Sequence, residues 1–569
     1  MHESSPERKR AQESRAAIQR LYIAMRHLLI RGSYKPMGMS GEALIEALRV
    51  LEPEIYGSIN DRERVELSGL LYIFQRLPKG IEECRLIKLI SREGFEQDFT
   101  AIVPPKRRRN AYRIDENEMY IEMTRGRSDI YDILTHLTFL YVEAEKIRRN
   151  SEDNRGHKKR EWQQLQRIVE AEAAGEEYSR EVAFTYLSVL LGRTYEETVA
   201  ACKRFNADAN VNSIFHITYH LGRLATQERN EEKDAQGGPL DREITFSSAL
   251  REKVGHHYYG EMWAKAIKEH LLRAGLLERP LHIISANLHS VMNSLYATAA
   301  LRDTVPSVNL EDYARLLSQV DNGKLRKQVR LLAGESGMVR LDDTSGTNIS
   351  VQIFDTANLP TELISEEIAF DAERIAREKP VLIVMDYAFG EQAYETMDEL
   401  LRPFHADDKV YHMQVESINI MGKAGILAGR KGDIMVPTAH VFEGTADNYP
   451  FENALEVADF EGQGLRVFGG PMITVMGTSL QNRDILAYFI ESSWAASGLE
   501  MEGAHYQKAI QAAAKIRKSI NPDVTLRYAY YASDNPLETG HTLASGSLGL
   551  DGVKPTYMIT NKILSGILG

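Results

Sequence analysis

Gly498-Leu499-Glu500-Met501-Glu502-Gly503-Ala504 sets two carboxylates either side of a methionine, between the end of one helical pattern and the start of another. Further on, Tyr531-Ala532-Ser533-Asp534-Asn535-Pro536-Leu537 closes a β-rich run from Val524 to Ala532 and leaves an acid at the strand's C-terminal edge. In open α/β sheets ligands bind at the C-terminal ends of strands, so an acid there is better placed for chemistry than for packing. Two acids so placed suit a reaction at a sugar. One grips hydroxyls and the other protonates a leaving group.

The sequence around these blocks alternates strands and helices. Leu281 to Asn287 and Ser350 to Asp355 read as strands, each followed by a helix, the second from Ile364 to Glu378. Pro380-Val381-Leu382-Ile383-Val384-Met385-Asp386 is a buried-strand run, followed by a turn through Gly390-Glu391 and a helix from Gln392 to Leu401. Val415 to Ile420 is a strand, and the turn expected after it carries Gly422 and Gly425, where glycine lets backbone N–H groups approach a ligand. Phe468 to Val475 leads to Gly477-Thr478-Ser479, and Arg483 opens a helix through Trp494. Such alternation predicts a largely parallel sheet with covering helices.

Three blocks in order resemble the nucleoside phosphorylase/nucleosidase superfamily over residues 350–569. They are Ile420-Met421-Gly422-Lys423-Ala424-Gly425-Ile426 with Gly432-Asp433-Ile434-Met435-Val436-Pro437, then Glu500-Met501-Glu502-Gly503-Ala504, then Ser533-Asp534. The resemblance implies that Met501 packs on a ribose face and that Glu502, next to Glu500, accepts its 2′- and 3′-hydroxyls. It implies that Asp534 protonates N7 of a purine, and that an acid after the Pro380–Asp386 strand activates water. Glu391 is the candidate, with Asp386 behind it. Gly422, Gly425, Thr478 and Ser533 would contact substrate. Phosphorylases of the family carry an arginine before the glycine segment. Here Ile420-Met421 stand there, with Lys423 inside it, which favours water over phosphate as nucleophile. Ser533-Asp534-Asn535-Pro536-Leu537, then His541 and Gly546, look most like the AMP nucleosidases, which split AMP and carry a large N-terminal extension. Lys423, Arg430, His541 and Thr542 are candidates for a 5′-phosphate.

The same acids have plainer readings. Glu391 and Glu502 suit the first turns of helices, where a carboxylate complements the macrodipole. Asp534 before Asn535-Pro536 suits a turn.

The remaining sequence bounds the rest. A chain of 569 residues exceeds one ordinary domain. A net charge of −12 argues against bulk nucleic-acid binding. Two cysteines, Cys84 and Cys202, exclude a disulfide framework and a cysteine-rich zinc site. No apolar run approaches the ~20 residues of a membrane span, and Met1 to Arg10 has no signal core, so the expected setting is cytoplasmic. Residues 1–235 read as a helical regulatory or oligomerisation region, 236–345 as an intermediate α/β region, and 346–569 as the α/β catalytic domain with a central mixed sheet. Residues 228–241 are a linker candidate. Lys106-Arg107-Arg108-Arg109 reads as a solvated loop or, less simply, a phosphate-effector site. His256-His257 has no ligand grouping at metal spacing and reads as structural. No metal or cofactor is expected. A homo-oligomer is expected by resemblance.

Overall fold

The computed structural model describes residues 6–92, 98–233, 239–305, 309–445, 447–538 and 548–569. It divides into two compact units, residues 1–256 with 479–485, and residues 257–478 with 486–569. Among the described residues no helix is long and apolar enough to cross a membrane.

The first unit is mostly helical around a five-stranded sheet. Its strands are β1 (Ser33–Tyr34), β2 (Leu86–Ile90), β3 (Ala111–Arg113), β4 (Glu118–Glu122) and β5 (Glu243–Phe246), in the order β1-β5-β2-β4-β3. The helix Gly126–Asn150 runs through its core and is buried on most sides. That burial takes in charges. Arg109, 1% exposed, pairs with Asp129 at 2.8 Å and also with Asp132, which Arg107 meets at 3.1 Å. The basic tract is therefore not a solvated loop. Arg107 and Arg109 turn inward onto carboxylates that the helix presents one turn apart, and only Lys106 and Arg108 face solvent. Buried guanidinium groups persist only when such partners compensate their desolvation. The linker candidate 228–241 lies partly outside the described residues. Its start is the last turn of the helix Ile214–Arg229.

The second unit is built on β6 (Leu281–Ser285), β7 (Met338–Leu341), β8 (Val351–Asp355), β9 (Val381–Met385), β12 (Val415–Ile426), β13 (Ile434–Phe442), β14 (Asn448–Pro450), β15 (Val467–Thr474), β16 (Gly498–Glu500) and β17 (Thr525–Asp534). A separate hairpin pairs β10 (Phe404–Ala406) with β11 (Lys409–Tyr411). The sheet is mixed rather than largely parallel. β12 runs parallel to β6 and β17 but antiparallel to β16, and β8 lies antiparallel to β9. Residues 257–345 belong to this unit because β6 pairs between β12 and β9.

Five of these strands close on themselves. β13 pairs with β15, β15 with β16, β16 with β12, β12 with β17, and β17 with β13. Their side chains split into two cores, as the period of two along a strand requires. Tyr528 and Tyr530 pack on one face, and Ala529 and Tyr531 on the other. Two expected elements change. The helix predicted from Ile364 spans only Ala372–Glu378, since Asp371 caps it by accepting from the Arg374 amide. The glycine segment is no turn, because β12 continues through Gly422 and Gly425, with a register shift against β17 between Ala424 and Gly425.

Candidate functional site

β12 supplies the point where the acidic blocks meet. Gly425 is the register partner of Leu499 on one side and of Asp534 on the other. This pairing places Glu500-Met501-Glu502 and Ser533-Asp534 on opposite flanks of Lys423-Ala424-Gly425. Asp534 ends β17 and is 2% exposed. The Ser533 hydroxyl contacts its carboxylate and lies 3.1 Å from the Ala424 carbonyl. The turn that follows is held by Asn535, whose amide nitrogen donates to the Gly429 carbonyl at 2.9 Å and whose oxygen accepts from the Leu537 amide at 2.9 Å. The plainer turn-forming role thus falls to Asn535. Lys423 is exposed over much of its length. Even so, desolvation of its ammonium lowers its pKa, and Asp534 opposes that shift.

The two glutamates of the opening motif take different tasks. Glu500 is buried, and its carboxylate accepts from the amides of Glu502 and Gly503 and from the Thr474 hydroxyl. It starts the helix Gly503–Gln511. Burial pushes its pKa up to about 7. Glu502 is partly buried and accepts from the Gly390 amide at 3.0 Å. Burial, with the Glu500 carboxylate beside it, pushes Glu502 up to about 8. The Gly390 contact joins the opening motif to the turn after β9. There Glu391, 9% exposed, precedes the helix Gln392–Leu400, whose first-turn acid is Glu395. Met501 is buried.

A Cβ on Gly422 would lie 2.6 Å from the Tyr530 ring, so glycine makes room for that side chain. Thr478 starts a short 3₁₀ turn and is half-buried. Arg430 is exposed, and its amide donates to Asp433 at 2.8 Å. His541 and Thr542 lie outside the described residues.

A cavity of about 900 Å³ opens beside Lys423. Of the expected site residues that the structure describes, Lys423 is the one that lines it. The sequence reading did not single out its other polar walls, Arg326, Arg330, His289, Asn287, Tyr387 and Tyr531. The Tyr387 and Tyr531 hydroxyls bond to each other, and to Asn287 and Thr556 respectively. Arg326 donates to the carbonyls of Leu317 and Val320, whereas Arg330 is exposed and makes no ion pair among the described residues. Among the described residues no lining residue is acidic. Arg326 and Arg330 stand four apart on the helix Gly323–Glu335, a spacing visible in the sequence. Its direction toward Lys423, far along the chain, is not.

Fold and site together define a mixed α/β protein whose closed strand circuit carries buried acids at its strand ends. The chain belongs to a family of unknown function, DUF6909, whose model matches residues 42–221 and 309–569. No curated protein matches it in sequence. It is similar to solved nucleosidase structures that cover about half of it. The 5′-methylthioadenosine/S-adenosyl homocysteine nucleosidase of Campylobacter jejuni is 12% identical, with 50% of this chain and 97% of that one covered and a TM-score of 0.30. A futalosine hydrolase mutant of Helicobacter pylori is 13% identical, covering 51% and 100%, with a TM-score of 0.29. The S. pneumoniae methylthioadenosine/S-adenosylhomocysteine nucleosidase with a transition-state inhibitor is 10% identical, covering 51% and 99%, with a TM-score of 0.30.

Proposed function

We propose that the second unit hydrolyses the N-glycosidic bond of a purine nucleoside or nucleotide, with an AMP-like substrate. The observation that carries this reading is the double pairing of Gly425, which brings the Glu500–Glu502 motif and Asp534 to the same short stretch of β12. Asp534 gives a proton to N7 of the base. The C1′–N9 bond breaks, its electron pair leaves with the neutral purine, and the ribose passes through an oxocarbenium-like state. General acid catalysis of this kind is typically worth ~10²–10⁴-fold. Glu502 accepts the ribose hydroxyls, Met501 lies under the ring, and Glu391 takes the proton of the attacking water. Glu500 and Gly422 hold this arrangement together.

The cavity beside Lys423 favours a substrate with a 5′-phosphate. In a chain of net charge −12 its charged walls are basic, and a phosphate takes charge-assisted hydrogen bonds from such groups. Phosphorolysis is the second reading, with Lys423 and Ser533 binding free phosphate. A catalytically silent nucleotide sensor is the third. The first unit would then serve as a regulatory or assembly module, in a homo-oligomer.

Incubating the full chain with AMP, ATP, adenosine, inosine and methylthioadenosine, with and without phosphate, separates these readings by chromatography of free base. Base release from AMP without phosphate is the expected result. Release only with phosphate makes the protein a phosphorylase. No release from any substrate removes the hydrolase reading.

A further inference from the structure

In the first unit, one helix face and one tight turn assemble a second group of side chains. The helix Ile214–Arg229 starts at Ser213, whose hydroxyl accepts from the His216 amide. His216 and His220 stand four residues apart and leave the same face, their ring centroids 4.2 Å apart. The turn Ile81–Glu83 lies against this helix. Glu83 Oε1 is 2.8 Å from His216 Nε2, and Glu82 Oε1 is 3.7 Å from the same nitrogen. One donor atom each from Glu83, His216 and His220 lies within 4.8 Å of the others.

Two further atoms at this place lack partners. Glu82 is 1% exposed, and Asn212 donates to its Oε1 at 2.6 Å, while its Oε2 meets no donor among the described residues. His220 Nδ1 is also buried without a hydrogen-bond partner among them. Buried polar atoms are normally satisfied. A carboxylate oxygen and an imidazole nitrogen left over beside a His–Glu pair fit a cation that takes lone pairs from several donors at once.

Arg113 Nη2 donates to Glu83 Oε2 at 2.8 Å and leaves Oε1 to the histidine. Outer partners of this kind orient metal-bound carboxylates.

We propose that Glu83, His216 and His220 bind one divalent transition-metal ion of the zinc class, with Glu82 completing the donor set. Two imidazoles with carboxylate oxygens suit tetrahedral zinc. The ion is structural. Ile217 follows His216 where His-Glu-x-x-His enzymes carry their base, and the donors come from two elements that the ion would fasten together. A second grouping, His257 with Asp398 and Glu399, carries no such site. Arginines pair both of its carboxylates, Arg402 and Arg517 with Asp398 at 3.0 and 2.7 Å and Arg402 with Glu399 at 3.3 Å, whereas at the first grouping Arg113 pairs Glu83 and no arginine among the described residues pairs Glu82.

Chelator-stripped full-length protein titrated with Zn²⁺ by calorimetry, and with Co²⁺ by visible absorption, tests this. The wild type is expected to take one Zn²⁺ per chain, to melt higher with it, and to give the intense visible bands of four-coordinate Co²⁺. His216→Ala and His220→Ala are each expected to weaken binding by about 100-fold or more, and Arg113→Ala by about 10-fold. His257→Ala binds as the wild type does. Failure of the wild type to bind Zn²⁺ stoichiometrically or to show the Co²⁺ bands overturns the proposal, whatever the variants do. Undiminished binding by the His216→Ala/His220→Ala double variant overturns it too.

Discussion

Asp534 and Asn535 divide the work of one strand end, and the division makes Asp534 open to a clean substitution. Asn535 holds the turn through Gly429 and Leu537, so Asp534→Asn leaves that turn intact. Base release should fall by ~10²–10⁴-fold while AMP still binds, measured by rate and by calorimetry. A full rate in this variant would falsify the assignment of the acid. Glu502 offers a pH test. In the folded chain Glu500 and Glu502 ionise at about 7 and about 8, above the ordinary carboxylate value of about 4.3. A raised carboxyl contributes stability fully below its unfolded pKa and loses it as pH climbs through the folded value. The melting temperature should therefore fall between about pH 5 and 8, and Glu502→Gln should flatten the upper part of that fall. Ribose hydroxyls donate to a carboxylate, so ligand binding at pH 7 should also release a proton. Calorimetry in buffers of different ionisation enthalpy detects it, and no proton release would remove Glu502 as the hydroxyl acceptor.

At the scale of elements, the helix Gly503–Gln511 begins against a fixed ring. A Cβ on Gly503 would lie 2.2 Å from His440 Cδ2. That imidazole is buried, stacks on Phe451, and bonds Tyr530 at 3.1 Å. Overpacking of this kind costs about 1–3 kcal/mol, so Gly503→Ala should lower the denaturation midpoint with the m-value unchanged. The strands β6, β8, β9, β15 and β17 were legible in sequence because each carries a cluster of β-branched, aliphatic or aromatic residues bounded by turn residues. β16 was not, because three residues after a helical pattern carry too little periodicity to mark a strand. Without β16 the circuit that closes through Gly425 cannot be foreseen. The same limit hid the cavity, whose walls come from segments far apart in sequence. Arg107 and Arg109 misled for another reason. A charged tract reads as solvated unless its buried partners, here Asp129 and Asp132, are known to face it. The acids Glu502 and Asp534 were legible through their motifs, while the internal role of Glu500 needed the geometry of the helix start.

For the whole molecule, net charge and local charge diverge. The chain carries −12, yet the charged walls of the cavity beside Lys423 are basic. Arg330 makes no ion pair among the described residues, and a hydrogen bond to a charged group is worth about 1.5–3 kcal/mol. Arg330→Ala should raise the KM for AMP by on the order of 10-fold or more and leave that for adenosine unchanged. Equal effects on both substrates would separate the cavity from the phosphate. The chain's path adds a constraint of another sort. Residues 479–485 belong to the first unit although they lie in the chain between two parts of the second. Gln481 accepts from the Glu54 amide at 2.9 Å, and Asn482 donates to the Leu51 carbonyl at 2.6 Å. A fragment ending at residue 256 should therefore melt lower than the same unit in the full chain and rise when a peptide of residues 479–485 is added. During synthesis, the amino-terminal half must wait on the ribosome, unfinished, until most of its neighbour has been translated.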